Sequence, residues 1–232
     1  MSISSVELGN GSIPERFINN ILSKNDISCP EKIFVVCKNH EISRAKLYMN
    51  IYEDMYKTHF RRGFPQDAQL LEFGIGPGEI AKEFSKKGLE VFGTDIKPTF
   101  SGNNVVASKT FPFGNDTFDL ISATSVLHHV PEKEHKNYFS EFKRILRPEG
   151  AIFIQEDERG RNQIEQHIIR AVDRLVSGPE ANSHKTDYGW RKFFEANSFD
   201  VVASDSLTHQ FGSIRLNKLF YLVKNKYSYT IE

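Results

Sequence analysis

Leu70-Leu71-Glu72-Phe73-Gly74-Ile75-Gly76-Pro77-Gly78, then Glu79 to Lys87, then Glu90 to Asp95, is the stretch from which the rest of the chain is read. It has the form of a short apolar strand, a glycine-rich turn, a helix and a second strand that ends in an acid. Ile80, Ala81 and Phe84 share one helical face, and Gly88 stands where a helix C-terminal glycine belongs. Val91 and Phe92 carry the second strand to Gly93-Thr94-Asp95. A glycine-rich turn between strand and helix lets a ligand approach the backbone where a side chain would collide. It also sets the free N–H groups of the helix start beside that ligand. An acid roughly twenty residues further on, at the tip of the next parallel strand, is placed to accept both hydroxyls of a ribose.

The spacing separates two nucleotide cofactors. A dinucleotide fingerprint asks for G-x-G-x-x-G, and here Glu79 follows Gly76-Pro77-Gly78. The pattern is Glu72-x-Gly74-x-Gly76-x-Gly78, with an acid on the strand itself. That arrangement resembles motif I of the class I S-adenosylmethionine-dependent methyltransferases. The resemblance implies that Glu72 helps hold the amino acid end of the cofactor, that Gly74, Gly76 and Gly78 let it pass, and that Asp95, followed by Ile96, takes the ribose side. It further implies a Rossmann-like α/β fold: a seven-stranded, mostly parallel sheet with the last strand antiparallel, helices on both faces and an N-terminal helical cap.

A second resemblance lies downstream. Phe111-Pro112-Phe113 through Asp119-Leu120-Ile121-Ser122-Ala123 looks like the Pro-Phe turn that precedes the fourth strand in these enzymes. Its continuation, Thr124-Ser125-Val126-Leu127-His128-His129-Val130-Pro131, matches the family's segment after that strand. Ala123 and Thr124 are thereby expected to line the methionine part of the cofactor. Near the third strand, Val105 to Ala107, the family often carries an acid for the adenine amino group. This chain has Ala107-Ser108-Lys109, so Ser108 or a backbone group is expected to take that place.

Composition bounds the alternatives. The 232 residues suit one α/β domain, divided here as a cap over 1–66, a cofactor-binding core over 67–158, a helical insertion over 159–187 and a C-terminal helix and strands over 188–232. Apolar residues make up 39% and charged residues 26%, as in soluble globular proteins. Thirty basic and thirty acidic residues cancel, so no overall field draws nucleic acid or an anionic membrane. The first ten residues lack the basic and apolar regions of a secretory signal, and no apolar run is long enough for a bilayer. Cys29 and Cys37 make no disulfide framework, which points to the cytoplasm, and the expected state is a monomer or homodimer.

Along the chain, Ser12-Ile13-Pro14-Glu15 forms a capping box ahead of Phe17, Ile18, Ile21 and Leu22, and Ile33 to Cys37 is too short to assign. From Glu41 to about Arg62, Ile42, Ala45, Tyr48, Met49, Tyr52, Met55 and Tyr56 recur at helical spacing. These residues pack on the sheet, and the tyrosines give polar tips to an apolar wall that suits a pocket roof. Pro98 and Gly102 oppose a helix after Asp95. A helix runs through Tyr138, Phe139, Phe142, Ile145 and Leu146 until Arg147-Pro148-Glu149-Gly150 ends it, and Ala151 to Gln155 forms a buried fifth strand. Arg161 to Ser177 is a helix with Ile164, Ile168, Ala171, Val172 and Leu175 on one side. A polar loop, a helix over Asp187 to Asn197, and strands over Phe199 to Asp205 and Leu219 to Val223 follow.

His128 and His129 are open to two readings: hydrogen bonding that holds the cofactor loop, or proton removal from a hydroxyl or amine nucleophile, with His128 ahead of His129 and one of the cap tyrosines as partner. No metal site is expected, because adjacent histidines rarely converge on one ion. Glu156, Asp157 and Glu158 at the end of the fifth strand read as solvated acids, with the positioning of a cationic substrate by one of them as the alternative. Methyl transfer asks chiefly that the nucleophile be held in line with an already activated methyl group. The expected activity is therefore methyl transfer from S-adenosylmethionine to an oxygen or nitrogen of a small molecule. Thr124-Ser125-Val126-Leu127 stands where nucleic-acid amino-methyltransferases carry Asn/Asp-Pro-Pro-aromatic. An NAD-dependent oxidoreductase and a cofactor-binding regulatory or scaffold protein without turnover are the alternatives.

Overall fold

The computed structural model describes residues 30–96, 105–107, 111–177, 183–211 and 214–226. The elements in chain order are α1 (Pro30–Phe60), β1 (Gln69–Phe73), α2 (Glu79–Lys86), β2 (Glu90–Asp95), β3 (Val105–Ala107), β4 (Phe118–Thr124) and a 3₁₀ turn (Leu127–His129). They continue with α3 (Glu132–Ile145), β5 (Leu146–Asp157), α4 (Gln163–Ser177), α5 (Asp187–Ala196), β6 (Phe199–Phe211) and β7 (Ile214–Asn225). The capping box at 12–15 and the helix after it lie outside the described residues, as do the residues between Ile96 and β3.

The strands form one sheet in the order β3-β2-β1-β4-β5-β7-β6. β1 to β5 are parallel, and β7 runs antiparallel to both β5 and β6. Side chains alternate across a strand, which divides the core into two. On one face Leu71, Phe73, Ile121, Ile152 and Ile154 meet Phe139, Phe142 and Ile145 of α3 and Trp190 and Phe194 of α5. On the other, Leu70, Leu120, Phe153, Phe220 and Leu222 meet Ile80 and Phe84 of α2 and the Tyr48, Met49, Tyr52, Met55 and Tyr56 stripe of α1. Each such side chain fully withdrawn from water contributes about 1.5–3 kcal/mol. The helical stripe expected in the cap is thus buried, and it lies directly on the sheet face.

Four boundaries differ from the pattern in the sequence. Ile33 to Cys37 belongs to α1. β5 begins at Leu146, eleven residues before its end at Asp157 and five before the expected Ala151, with a register shift against β4 between Phe118 and Leu120. Pro148 sits in this irregular stretch, where a missing N–H costs no ladder bond. β6 and β7 pair along a register from Phe199↔Asn225 to Phe211↔Ile214, well beyond the predicted strands. Antiparallel backbone bonds carry the polar Ser204–Thr208 segment that lacks an apolar pattern. α4 starts at Gln163, with the Asn162 side chain accepting from Glu165 N (2.9 Å), and Ile164 is exposed while Glu165 and Ile169 are buried, so its apolar face is rotated from the expected one.

Candidate functional site

The glycine turn folds back over the tip of β2. Gly74 N and Ile75 N both donate to Thr94 O, at 2.8 and 3.1 Å, and Gly78 N donates to Ile75 O at 2.8 Å. Gly74, Gly76 and Gly78 all have positive φ, the region that strains other residues. A Cβ on Gly74 would stand 2.3 Å from Val126 Cγ2, so this glycine also seats the turn against the segment after β4. A Cβ on Gly76 would meet nothing nearer than Gly74 O at 4.0 Å, which leaves that face of the turn open to a ligand. Gly78 is the N-cap residue of α2 and no side chain caps that helix start. Asp95, at the end of β2, accepts from Gly76 N through Oδ2 at 3.0 Å, which ties the acid to the turn.

Glu72 lies on β1 between Gly93 of β2 and Ser122 of β4, on the face covered by α1 and α2. Its carboxyl is buried, and Oε2 has no hydrogen-bond partner among the described residues. Burial pushes the carboxyl well above the usual carboxylate range, opposed by the backbone N–H of Ala81. A buried acid with an unsatisfied oxygen just ahead of the glycine turn is suited to a cationic group. Thr94 Oγ1, next to Asp95, is likewise buried and unsatisfied.

Beside Glu72 a run of hydroxyls follows the same face. Tyr52 OH of α1 and Thr124 Oγ1 lie 2.9 Å apart, and Thr124 Oγ1 lies 3.2 Å from Ser122 Oγ. Burial holds the Tyr52 phenol well above its ordinary value, so it stays protonated and serves as a neutral hydrogen-bonding group. On β5, Gln155 accepts from Ser125 Oγ at 2.5 Å, and its Nε2 is buried without a partner among the described residues.

The turn after β4 is fixed from both sides. Glu156 is fully buried and accepts from Val126 N (3.0 Å), Leu127 N (2.7 Å), His128 N (3.2 Å) and His128 Nδ1 (2.6 Å). His135 of α3 donates from Nε2 to Leu127 O (2.8 Å) and Val130 O (3.1 Å). Ser183 N reaches His128 O at 3.2 Å, and Ser183 Oγ donates to Val130 O at 2.7 Å. The His128 ring is 2% exposed, stacks on His184 at 4.7 Å and touches His129 at 4.2 Å.

Glu156 corrects the expectation of a solvated strand end. It continues the inward phase of Ile152 and Ile154, and that alternation was the signal in the sequence. Nδ1 of His128 meets Glu156, and of the cap tyrosines Tyr52 meets Thr124. Ser183, read as the end of a polar loop, and His184 after it are buried. Ala123 turns its side chain into the opposite core, which leaves its backbone to the site. Ile96 is 63% exposed at the rim beyond Asp95, and Ser108 lies outside the described residues. Among the described residues no group of three or more His, Cys, Asp or Glu is placed to hold a metal ion.

His135 carries a pH consequence. Burial lowers its imidazole from the ordinary value of 6.5, against the opposing pull of the Leu127 carbonyl. Nδ1 is buried without a partner among the described residues, so a second proton there would be unsolvated. The unfolded chain binds that proton more readily, so stability is complete above pH 6.5 and falls as pH drops from there through the lowered folded value. Denaturant midpoints between pH 8 and 5 should show this loss, and His135→Gln, which retains an N–H donor, should flatten it.

Comparison with known proteins bears on this geometry. A family model described as a methyltransferase domain matches residues 47–212. An uncharacterized methyltransferase of Oceanobacillus iheyensis is 25% identical over 150 residues, spanning 57% of this chain and 70% of the relative. One of Geobacillus kaustophilus is 26% identical over 162 residues, spanning 62% and 69%. Among solved structures, the Burkholderia thailandensis 1,6-didemethyltoxoflavin-N1-methyltransferase, bound to 1,6-didemethyltoxoflavin and S-adenosylhomocysteine, superposes with a TM-score of 0.57 at 18% identity, covering 96% of this chain and 94% of that one.

Proposed function

The chain belongs to the methyltransferase domain family, and from that premise we propose that it methylates an oxygen or nitrogen of a small molecule. Its cofactor is S-adenosylmethionine. The observation that carries the proposal is the buried Glu72, with Oε2 unsatisfied among the described residues, on the strand that leads into the open, Asp95-anchored glycine turn. These residues fit the cofactor's chemistry: an ammonium group for Glu72, ribose hydroxyls for Asp95, and a passage over Gly74, Gly76 and Gly78. Ile96 offers an apolar contact at the rim, and Thr124 with the Ala123 backbone borders the methyl-bearing end.

When bound, the cofactor would supply an activated methyl group carried on a sulfonium, which becomes a neutral thioether once the methyl is given up. The chain's own residues hold the acceptor in line and take its proton. Tyr52, Thr124, Ser122 and Gln155 offer hydroxyls and an amide for orienting a small polar molecule under α1. His128 is proposed as the proton acceptor, with His129 as the less favoured candidate. The balanced charge of the chain supports a small acceptor over nucleic acid, and no helix among the described residues is long and apolar enough to cross a membrane. The two-cysteine composition supports a cytoplasmic location, and the working state proposed is a monomer or homodimer.

Parallel calorimetric titration with S-adenosylmethionine, S-adenosylhomocysteine and NAD tests the cofactor side. Micromolar binding of the first two and none of NAD is expected, whereas NAD binding alone would overturn it. Methyl transfer from labelled cofactor to small heterocyclic phenols and amines tests the acceptor class; transfer only to tRNA or protein would sink it. Glu72 adds a pH dependence. Its raised carboxyl must lose its proton to face an ammonium, so affinity is full above that raised value and weakens as pH falls through it. The dissociation constant should rise up to about tenfold per pH unit on the acid side, and Glu72→Gln should remove that slope.

A further inference from the structure

We infer that Glu156 is the positioning residue of this site: one buried carboxylate orients the His128 imidazole and ties it to the turn that seats the cofactor loop. The inference rests on the proposal that His128 takes the acceptor's proton. Three backbone N–H groups, from Val126, Leu127 and His128, point at the two carboxylate oxygens, and His128 Nδ1 lies 2.6 Å from Oε2. A carboxylate held by N–H donors is an acceptor, so the proton between it and the ring belongs to Nδ1. That selects the tautomer whose lone pair is on Nε2, the form able to receive a proton.

Oε1 also bears on the glycine turn. Oε1 accepts from Val126 N, and the side chain of Val126 occupies the space that a Gly74 Cβ would need. A displacement of Glu156 therefore moves both the ring and the wall of the glycine turn. An ordinary capping acid would satisfy the turn alone; here the shortest of the ring and backbone contacts on Oε2 is the one to the imidazole. A charge at this distance also favours the protonated ring, so Glu156 raises the basicity of His128. Among the described residues His129 and His184 contact the ring and Asp157 acts on it electrostatically, and Asp157 pairs with Lys218 at 2.5 Å. These supply a background that is unaltered by substitution at 156.

The experiment uses the full chain labelled with ¹⁵N-histidine, with long-range ¹H–¹⁵N spectra of the imidazoles and the His128 signal assigned from its loss in His128→Gln. In the unsubstituted protein the neutral ring should carry its proton on Nδ1. A neutral ring protonated on Nε2 would overturn the inference without recourse to any variant. In Glu156→Gln the His128 titration should move down by about one pH unit or more, and Glu156→Asp should restore part of that shift. An unmoved titration in a variant with an unchanged circular dichroism spectrum would also overturn it. Calorimetry with S-adenosylhomocysteine on the same samples keeps the two proposals apart. Intact binding by the unsubstituted protein with the wrong tautomer defeats only the role of Glu156, and absent binding with the expected tautomer defeats only the cofactor reading.

Discussion

Asp95→Ala should raise the dissociation constant for S-adenosylmethionine about a hundredfold, measured by calorimetric titration, with little loss of fold. Two effects combine. The ribose hydroxyls lose a charged acceptor, and hydrogen bonds to charged groups contribute about 1.5–3 kcal/mol each. The turn also loses the restraint between Gly76 N and Oδ2, so the backbone that would face the cofactor is held less firmly. Asp95→Asn keeps an oxygen that can accept from Gly76 and should recover part of the affinity. Unchanged binding in the alanine variant would remove Asp95 from the cofactor site.

Gly74→Ala should act on the fold first. The added methyl would stand 2.3 Å from Val126 Cγ2, at a φ of +72°. The left-handed backbone costs about 1–2 kcal/mol for a residue with a Cβ, and the overlap adds about 1–3 kcal/mol. The midpoint of thermal unfolding should fall by roughly 10 °C for a chain of this size. Gly76→Ala is the matched control. Its Cβ would meet nothing closer than 4.0 Å, so stability should change by the backbone strain alone while cofactor affinity falls because the new methyl fills the open face. Equal destabilisation by both would mean that Val126 yields readily and that the seat on the turn is soft.

What could be seen in the sequence divides along a physical line. Glu72, the three glycines and Asp95 sit within 24 residues, and each owes its placement to the strand–turn–helix it belongs to, so spacing sufficed. The α1 stripe was legible for a similar reason: Ala45 to Tyr56 repeat at the period of one helix, and every predicted member with a described side chain is buried. Glu156 was missed because polarity argued for solvent while strand parity argued for the core, and only the donors of a turn 28 to 30 residues earlier decide between them. Ser183 and His184 are buried by a turn more than 50 residues away, information that no local pattern holds. The long β6–β7 hairpin escaped notice because its pairing is a backbone property, indifferent to the polar side chains of Ser204 to Thr208.

The strand order has a consequence for how the molecule comes into being. β7 follows β6 in the chain, yet it occupies an interior position between β5 and β6. Until residues 214–225 have left the ribosome, the flank of β5 that bears Ile152 to Asp157 lacks its β7 neighbour, and β6, which packs against α1 and α5, lacks its strand partner among the described residues. The nascent chain then carries an open, strongly apolar strand edge, a template for pairing with other chains. Protection of that edge against aggregation arrives with β7.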